Sequence, residues 1–148
     1  MIHVRLDRLR SIGAAPTRAC GECTACCTLM AVPELHKRNR VACEHVCARG
    51  CSIHERRPED CRLFHCLWLR GAIEGDAQTR PDALGVMFDQ FTLREDQSTH
   101  TLAFELWPGA LDTEEARAVI HELAQEFKIA LSYRDGRWSE LSREEPAP

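Results

Sequence analysis

The amino-acid sequence predicts an α+β fold in which a small cysteine-rich half packs on a short antiparallel sheet and one long helix. Three observations predict this architecture. All nine cysteines of the 148 residues lie between Cys20 and Cys66. Two stretches rich in β-branched and aromatic residues follow at 83–93 and 99–107. Residues 111–131 then repeat apolar side chains at helical spacing.

The length of the chain is most simply that of one domain, so we expect 1–148 to share one core. Within it, residues 20–71 form what we call the cysteine segment. This segment has few large apolar residues of its own, and it therefore needs cross-links or metals to become ordered. Residues 80–141 carry the conventional fold signals, in the order hairpin, helix, hairpin.

Two hairpins are predicted in the second half of the chain. The first joins 83–93 to 99–107 through a polar turn. The second covers 132–141 and is centred on Asp135-Gly136, a pair that favours a type I′ turn. We expect the tail at 143–148 to be disordered.

Three helices are predicted. The clearest, over 111–131, begins with a capping pair formed by Asp112 and Glu115. In the cysteine segment, a short helix at 33–39 and a better one at 56–71 are expected, because each has a proline at or near its first turn. The three tryptophans fall on different elements, and we expect them to pack in the core.

The charge pattern argues against nucleic acid as a partner. The formal net charge is -4, which gives no global attraction to a phosphate backbone. Residues 49–62 are locally rich in arginine, but acidic residues are interleaved with them. We interpret this stretch as a solvated, mixed-charge surface and not as a phosphate-binding stripe. Its charged residues are Arg49, Glu55, Arg56, Arg57, Glu59, Asp60 and Arg62.

A cytoplasmic location is expected. No window of the sequence approaches the apolar length of a membrane span, which also argues against a membrane partner. The first nineteen residues contain no continuous apolar run of the kind that a signal sequence requires. The cytosol keeps thiols reduced, so clustered cysteines there indicate metal ligands before disulfides.

The stretch CGECTACC places four thiols in eight positions: Cys20, Cys23, Cys26 and Cys27. Thiolate sulfur is a soft donor that favours zinc, iron–sulfur iron and copper(I). Two thiolates separated by two residues can bind one ion, because the loop between them turns the chain back. Cys26 and Cys27 are adjacent, and we expect them to serve different ions or to bridge two. The other ligands would come from the later thiols Cys43, Cys47, Cys51, Cys61 and Cys66.

Four chemistries compete for these thiols. Structural disulfides are disfavoured by the reducing compartment and by the odd number of cysteines. A thioredoxin-like redox pair is disfavoured because further thiols crowd the first CxxC. A [4Fe–4S] cluster is an alternative, since CxxCxxC is the bacterial ferredoxin spacing for three corners, although Cys27 follows at once. Zinc is the simplest fit, with iron or an iron–sulfur cluster as the alternative.

Two longer motifs point to a family. CGECTACC has the form CxxCxxCC, and CSIHERRPEDCRLFHC at 51–66 follows the pattern C-x-[IV]-Y-x-x-R-P-x-x-C-R-x-F-x-C, with His54 in place of the tyrosine. In these motifs the chain resembles the YkgJ-like CxxCxxCC cysteine-cluster family, described as chelating zinc or iron. RPDALGVMF at 80–88 and ELWPGA at 105–110 resemble longer members of that family.

The resemblance implies eight metal ligands in two four-thiolate sites, with Cys26 and Cys27 assigned one to each. Cys47 lies outside the family pattern and would be the odd thiol. His45, between Cys43 and Cys47, and His65, four residues after Cys61, are further candidate donors. The eight implied ligands are Cys20, Cys23, Cys26, Cys27, Cys43, Cys51, Cys61 and Cys66.

Two functions of different classes follow. The first is a metal-binding protein that holds two zinc ions for a structural, interaction or metal-handling role, with an unidentified protein partner. In it, Arg56, Arg57 and Arg62 would offset the negative charge of the thiolate sites. The alternative is an iron–sulfur or iron-dependent redox or transfer enzyme, or an accessory protein. The sequence has no HExxH, P-loop or Ser-His-Asp arrangement, so it leaves catalysis undecided.

Overall fold

The computed structural model describes residues 2–5 and 18–141. The expectations for the N-terminal segment and for the tail at 143–148 concern residues that lie wholly or largely outside these ranges. The described helices and strands form an α+β fold, as predicted. In chain order they are α1 (Ala25–Leu29), β1 (Val46–Cys47), β2 (Gly50–Cys51), α2 (Glu59–Leu63), α3 (Pro81–Leu84), β3 (Val86–Thr92), β4 (Thr99–Glu105), α4 (Glu114–Ala124), β5 (Ile129–Ser132) and β6 (Trp138–Leu141).

Strands β3 to β6 form a four-stranded sheet in the order β3-β4-β5-β6. Both predicted hairpins are present, because β3 pairs antiparallel with β4 and β5 pairs antiparallel with β6. The sheet as a whole is mixed, because β4 and β5 are parallel. Helix α4 supplies the crossover that a parallel pair requires. A separate two-stranded antiparallel sheet joins β1 to β2 within the cysteine segment.

Helix α4 is shorter than the helix predicted over 111–131. Its N-cap is Thr113, whose Oγ1 accepts a hydrogen bond from the backbone N–H of Ala116 at 3.2 Å, so the predicted Asp112 start is wrong by one residue. The helix ends at Ala124, and Ile129 begins β5. The apolar residues after the helix fit a helical repeat and a strand alternation equally well, which explains the overlong prediction.

The main core lies between α4 and one face of the sheet. Val119 and Leu123 of α4 are fully buried in one cluster with Phe88 of β3 and Ile129 of β5. Each such side chain stabilises the fold by roughly 1.5–3 kcal/mol. The end of the cysteine segment contributes Leu67, Trp68 and Leu69 to the same core, and Ala72 and Ile73 follow directly after it.

The opposite face of the sheet carries the first helix of the cysteine segment. Met87 points away from its neighbour Phe88, as alternate residues of a strand do, and packs with Ala25 and Leu29 of α1. Arg40, in the loop between α1 and β1, binds that loop to the sheet. Its guanidinium donates to the carbonyl oxygen of Glu105 at 3.0 Å and to the carbonyl oxygen and Oγ of Ser132 at 2.9 and 2.6 Å.

Both helices predicted in the cysteine segment are shorter in the structure. The first is one 3₁₀ turn at Pro33–Leu35, with proline at its start as expected. The second, predicted over 56–71, is only α2, at Glu59–Leu63. After it, the N–H of Leu67 donates to the carbonyl oxygen of Phe88 at 2.9 Å. Pairing with the edge of β3 therefore replaces the last turns of the predicted helix.

The tryptophans do not all pack in the core. Trp68 does, and its indole N–H lies 3.2 Å from both the Thr79 hydroxyl and the carbonyl oxygen of Asp76. Trp107 and Trp138 are 44% and 58% exposed, so the expectation for these two is wrong. None of the helices in the described ranges is both long enough and apolar enough to cross a membrane.

Candidate functional site

A cavity of about 250 Å³ opens within the cysteine segment, and we call it the thiol cavity. All nine cysteines are free thiols. Seven of them come from separate parts of the segment and line this one space: Cys20, Cys23, Cys26, Cys27, Cys43, Cys51 and Cys61.

Short backbone features bring these thiols to the cavity. The N–H of Cys23 donates to the carbonyl oxygen of Cys20 at 3.0 Å, which closes the turn of the first CxxC. Cys26 and Cys27 follow on α1, where successive side chains point roughly 100° apart. The N–H of Cys43 donates to the carbonyl oxygen of Cys27 at 2.9 Å, so the chain around Cys43 lies against α1.

Four thiols form what we call the first thiol group. Burial raises the pKa of Cys66 to about 12, and the neighbouring charges of Cys20 and Cys23 act in the same direction. Burial also raises the pKa of Cys23, with a further contribution from Cys20. Cys66 is not part of the lining but packs against the same apolar cluster as Cys23 and Cys26. The members of this group are Cys20, Cys23, Cys26 and Cys66.

The remaining thiols of the cavity form the second thiol group. The pKa of Cys61 is raised by burial and by the nearby charges of Cys27, Cys43 and Cys51. Burial likewise raises the pKa of Cys51, and Cys27 and Cys43 again contribute. Cys51 reaches the cavity from β2 and Cys61 from α2. The members of this group are Cys27, Cys43, Cys51 and Cys61.

The adjacent pair Cys26 and Cys27 joins the two groups. The Cys26 thiol donates a hydrogen bond to the Cys27 sulfur, which stabilises the Cys27 thiolate. This hydrogen bond, with the positive charges of Lys37 and Arg57, lowers the pKa of Cys27 to about 6 although burial opposes the shift. The same hydrogen bond and burial raise the pKa of Cys26. The charge of Cys27 also raises the pKa of Cys20, so the electrostatic effects connect the two groups with each other.

Two cations face the thiol cavity. Lys37 is 8% exposed, and its ammonium donates to the carbonyl oxygens of Met30 and Arg38. Burial lowers the pKa of Lys37, and the charges of Cys43 and Cys27 oppose that effect. Arg57 also lines the cavity, as the sequence predicted, and its Nε–H donates to the carbonyl oxygen of His54 at 2.9 Å. The predicted partners Arg56 and Arg62 do not line it.

An ion pair outside the cysteine segment approaches the first thiol group, where the charge of Asp82 adds to burial in raising the pKa of Cys23. Arg80 donates two hydrogen bonds to the Asp82 carboxylate, at 2.6 and 2.7 Å. The hydrogen bond from Arg80 holds the pKa of Asp82 below its ordinary value, and a hydrogen bond with the Cys23 thiol adds to this effect. Sequence reasoning missed both Asp82 and Lys37, because neither has a ligand-like spacing to a cysteine.

Three further candidates from the sequence lie away from the cavity. Cys47 is exposed and is not part of the lining, as expected for the odd thiol. His45 places its ring nitrogen Nε2 3.5 Å from the Glu44 carboxylate, and its backbone N–H lies 3.5 Å from the Cys43 sulfur. His65 follows the end of α2, so it does not share a helix face with Cys61, and it lines a different pocket.

The donor set suits a soft metal ion, but its members stand apart. Among residues 2–5 and 18–141, no three Cys, His, Asp or Glu side chains are arranged closely enough to hold a metal ion. Thiolates are nevertheless the donors that zinc, iron–sulfur iron and copper(I) prefer. The chemistry of the cavity therefore fits such an ion, whereas coordination would require the thiols to draw together.

Comparisons with known proteins leave the thiol cavity as the main guide to function. The chain matches no protein-family model, no curated protein and no solved structure. The resemblance to the YkgJ-like family accordingly rests on the two motifs at 20–27 and 51–66.

Proposed function

We propose that this protein binds two metal ions, most simply Zn²⁺, through thiolate-rich sites with a structural, interaction or metal-handling role. The observation that supports this most strongly is the single cavity lined by seven free thiols from four separate stretches of chain. Thiols spread over so long a stretch do not line one space by local sequence alone. A set of soft donors lining one cavity is what a zinc protein needs.

The two thiol groups divide the eight ligands. In this proposal the first thiol group holds one ion and the second thiol group holds the other. Support comes from the electrostatic effects on two buried thiols: the charges of Cys20 and Cys23 raise the pKa of Cys66, and those of Cys43 and Cys51 raise the pKa of Cys61. The charge of Cys27 also raises the pKa of Cys20, so the two proposed sites adjoin each other. Cys26 and Cys27 are adjacent on α1, and in this proposal each contributes its thiolate to a different site.

Charge balance supports the same assignment. A four-thiolate zinc site carries net charge of about -2, because four thiolates outweigh the divalent ion. Lys37 and Arg57 place two positive charges at the cavity, and Arg80 approaches the first thiol group. Cations and N–H donors beside metal thiolates commonly stabilise such sites without acting as ligands.

Metal binding would be coupled to ordering of the cysteine segment. The thiols face one cavity but stand too far apart to coordinate an ion together. Closing them around two ions would cross-link residues 20–66, a stretch that contributes only Ala25 and Leu29 as buried residues to the apolar cluster around Met87 of β3. Binding free energy then becomes folding free energy, as in other small metal-dependent folds.

An iron–sulfur site is the second candidate, and one observation favours it. Met30, Val32 and Leu35 line the cavity beside the thiols, together with Ile53 and Phe64. Apolar walls exclude water, and solvent exposure is one of the features that tune iron–sulfur clusters. A cavity next to the donors is also what a redox or transfer enzyme would require.

Purification without oxygen followed by elemental analysis tests the proposal. We expect a colourless protein with about two zinc ions per chain, since Zn²⁺ has a filled d shell and takes four ligands in structural sites. A brown protein that contains iron and acid-labile sulfide would contradict zinc binding and support the iron–sulfur alternative. Metal-free protein in which all nine thiols react freely under native conditions would contradict both.

A further inference from the structure

A second cavity of about 460 Å³ adjoins the thiol cavity, and we call it the basic pocket. Cys20, Cys51 and Arg57 line both spaces. Among the described residues, no Asp or Glu lines the basic pocket, and its acidic groups are the thiols of Cys20 and Cys51, whose pKa values are raised by burial. Its titratable nitrogen-bearing side chains are Arg18, Arg49, His54, Arg57, Arg62 and His65.

The fold separates charges that the sequence interleaves. Residues 49–62 suggested a solvated, mixed-charge surface, because acidic side chains alternate there with arginines. In the structure, Arg49 and Arg62 line the basic pocket, whereas Glu55 and Glu59 do not. Asp60 lines the thiol cavity instead. Arg18, from well before the stretch, adds a further positive charge to the same pocket.

Most of the donors in this pocket are unused. The side chains of Arg49 and Arg62 make no hydrogen bond or ion pair with any residue in 2–5 or 18–141. Arg57 uses only its Nε–H, on the carbonyl oxygen of His54. Guanidinium groups carry five N–H donors each and stay charged at any physiological pH. The pocket therefore presents several free charged donors to one space.

Arg18 gives the pocket a fixed cation. Its guanidinium donates to the carbonyl oxygens of Trp68 at 3.0 Å and Gly75 at 2.8 Å, and it stacks over the Trp68 ring at 4.6 Å from the centroid. These contacts hold the group in place and leave part of its donors free. A cation that is already positioned loses little conformational entropy when an anion binds.

Charge compensation for the thiols does not account for this pocket. Among the described residues, the cations that most affect the pKa values of the thiols are Lys37, Arg57 and Arg80. Arg49 and Arg62 are not among the main causes for those thiols. They remain available to a different anion.

We propose that the basic pocket binds a phosphate-type oxyanion, either inorganic phosphate or the phosphate of a small phosphorylated compound. The planar guanidinium fork matches two phosphate oxygens at once, and several forks around one space favour a multivalent anion. The size of the cavity is that of a small-molecule site. Arg57 would then contact the anion on one side and the second thiol group on the other, without any requirement for bound metal.

Calorimetric titration of the purified protein with phosphate ligands tests this inference. Inorganic phosphate, pyrophosphate and glycerol phosphate are the probes, and together they distinguish a free phosphate from a phosphate ester. We expect saturable binding of at least one probe with a dissociation constant of about 1 mM or tighter. The double variant R49Q/R62Q should bind about a hundredfold more weakly, because it removes two charged donors and each charged hydrogen bond lost corresponds to roughly a factor of ten.

The matched control is the double variant R38Q/R94Q, which removes the same charge from two exposed arginines outside the pocket. It should bind like the natural chain. Metal content is measured on every sample, so loss of the thiol sites is detected separately. Failure of all three probes to saturate, equal weakening in both double variants, or loss of metal from R49Q/R62Q with unchanged phosphate affinity would each overturn the inference.

Discussion

Lys37 shows how a single residue reaches the thiol cavity. The 3₁₀ turn at Pro33–Leu35 ends at His36, which adopts the left-handed conformation with φ 53° and reverses the chain. The N–H of Lys37 then donates to the carbonyl oxygen of Val32 at 3.1 Å, and its side chain is buried. The amino-acid sequence around Lys37 does not distinguish it from the neighbouring exposed basic residues. It could therefore not be predicted as part of the site.

The proposed metal ligands differ in how far the sequence alone could indicate them. Thiol spacing singles out Cys20, Cys23 and Cys26 directly, because a CxxC pair has a local geometry. The distant thiols Cys51 and Cys61 lack such a spacing, and they were indicated by the clustering of all cysteines in one segment and by the resemblance to a longer pattern. Asp82 was beyond prediction, since it approaches Cys23 from α3, far along the chain.

In the reduced, metal-free protein, we predict that Cys27 is alkylated at unusually low pH. The Cys26 hydrogen bond, Lys37 and Arg57 all favour the Cys27 thiolate, so its pKa lies near 6 and not at the ordinary 9.0. The thiolate is the nucleophile, and its fraction rises as pH increases through the pKa. Peptide-level mass spectrometry with iodoacetamide should therefore show modification of Cys27 rising well below pH 9.

Lys37→Met should move this rise to higher pH, because one favourable charge is removed while burial is kept. Arg38→Met, at the exposed neighbouring position, is the matched control and should leave the profile unchanged. A Cys27 profile that rises only around pH 9 in the natural chain would show that the Cys26 hydrogen bond and the cations do not act as described.

At the scale of elements, turn and cap residues determine which helices and strands can be predicted correctly from the sequence. The Asp135-Gly136 pair correctly predicted the second hairpin, but the predicted type I′ turn is wrong. A type I′ turn needs positive φ at both central residues, whereas Gly136 has φ 93° and Asp135 does not have a positive φ. The N–H of Gly136 donates to the carbonyl oxygen of Tyr133 at 3.0 Å, which places Arg134 and Asp135 at the centre of the turn. Helix α4 was found but overextended, because short apolar runs are ambiguous between helix and strand. The parallel pairing of β4 with β5 depends on the crossover path, and local pattern carries no information about that path.

Thr113→Ala should lower the free energy of unfolding by about 1 kcal/mol, because it removes the side-chain cap of α4. Thr113→Ser keeps the hydroxyl and should retain most of the stability. Urea unfolding followed by circular dichroism measures both variants. An equal loss in the two would assign the effect to the Thr113 methyl group and not to the cap.

Arg40→Met should loosen the attachment of the cysteine segment to the sheet. Three hydrogen bonds, to the carbonyl oxygen of Glu105 and to Ser132, are lost, and we expect destabilisation of roughly 2 kcal/mol or more. Hydrogen exchange should rise in the cysteine segment more than in β3 and β4. Arg38→Met is the control, and the same exchange pattern in it would show that Arg40 has no special role.

At the scale of the whole molecule, the sheet separates two environments. One face packs with α4 and with Leu67 to Ile73 in the main core. The other face carries α1 and, through it, the thiol cavity. The sequence predicted the two halves but not that the cysteine segment also supplies core residues, because Leu67 and Trp68 were expected to continue a helix.

Removal of metal by a strong chelator should affect hydrogen exchange in the cysteine segment and in the sheet differently. If metal cross-links the cysteine segment, removing it should raise hydrogen exchange over residues 20–63, while β3 to β6 and α4 stay protected. Residues 67–73 should remain protected with the sheet, since they lie in its core. A uniform rise across the chain, or no change at all, would contradict a structural metal role confined to the cysteine segment.

The most direct test of the central claim is the number of metal ions per chain, measured by native mass spectrometry on protein purified without oxygen. We expect about two ions in the natural chain and in Cys47→Ser, because the exposed Cys47 lies outside the thiol cavity. We expect about one ion in Cys27→Ser, since that change removes a proposed ligand from the second thiol group alone. No bound ion in the natural chain, or the same count in all three proteins, would contradict the two-metal proposal.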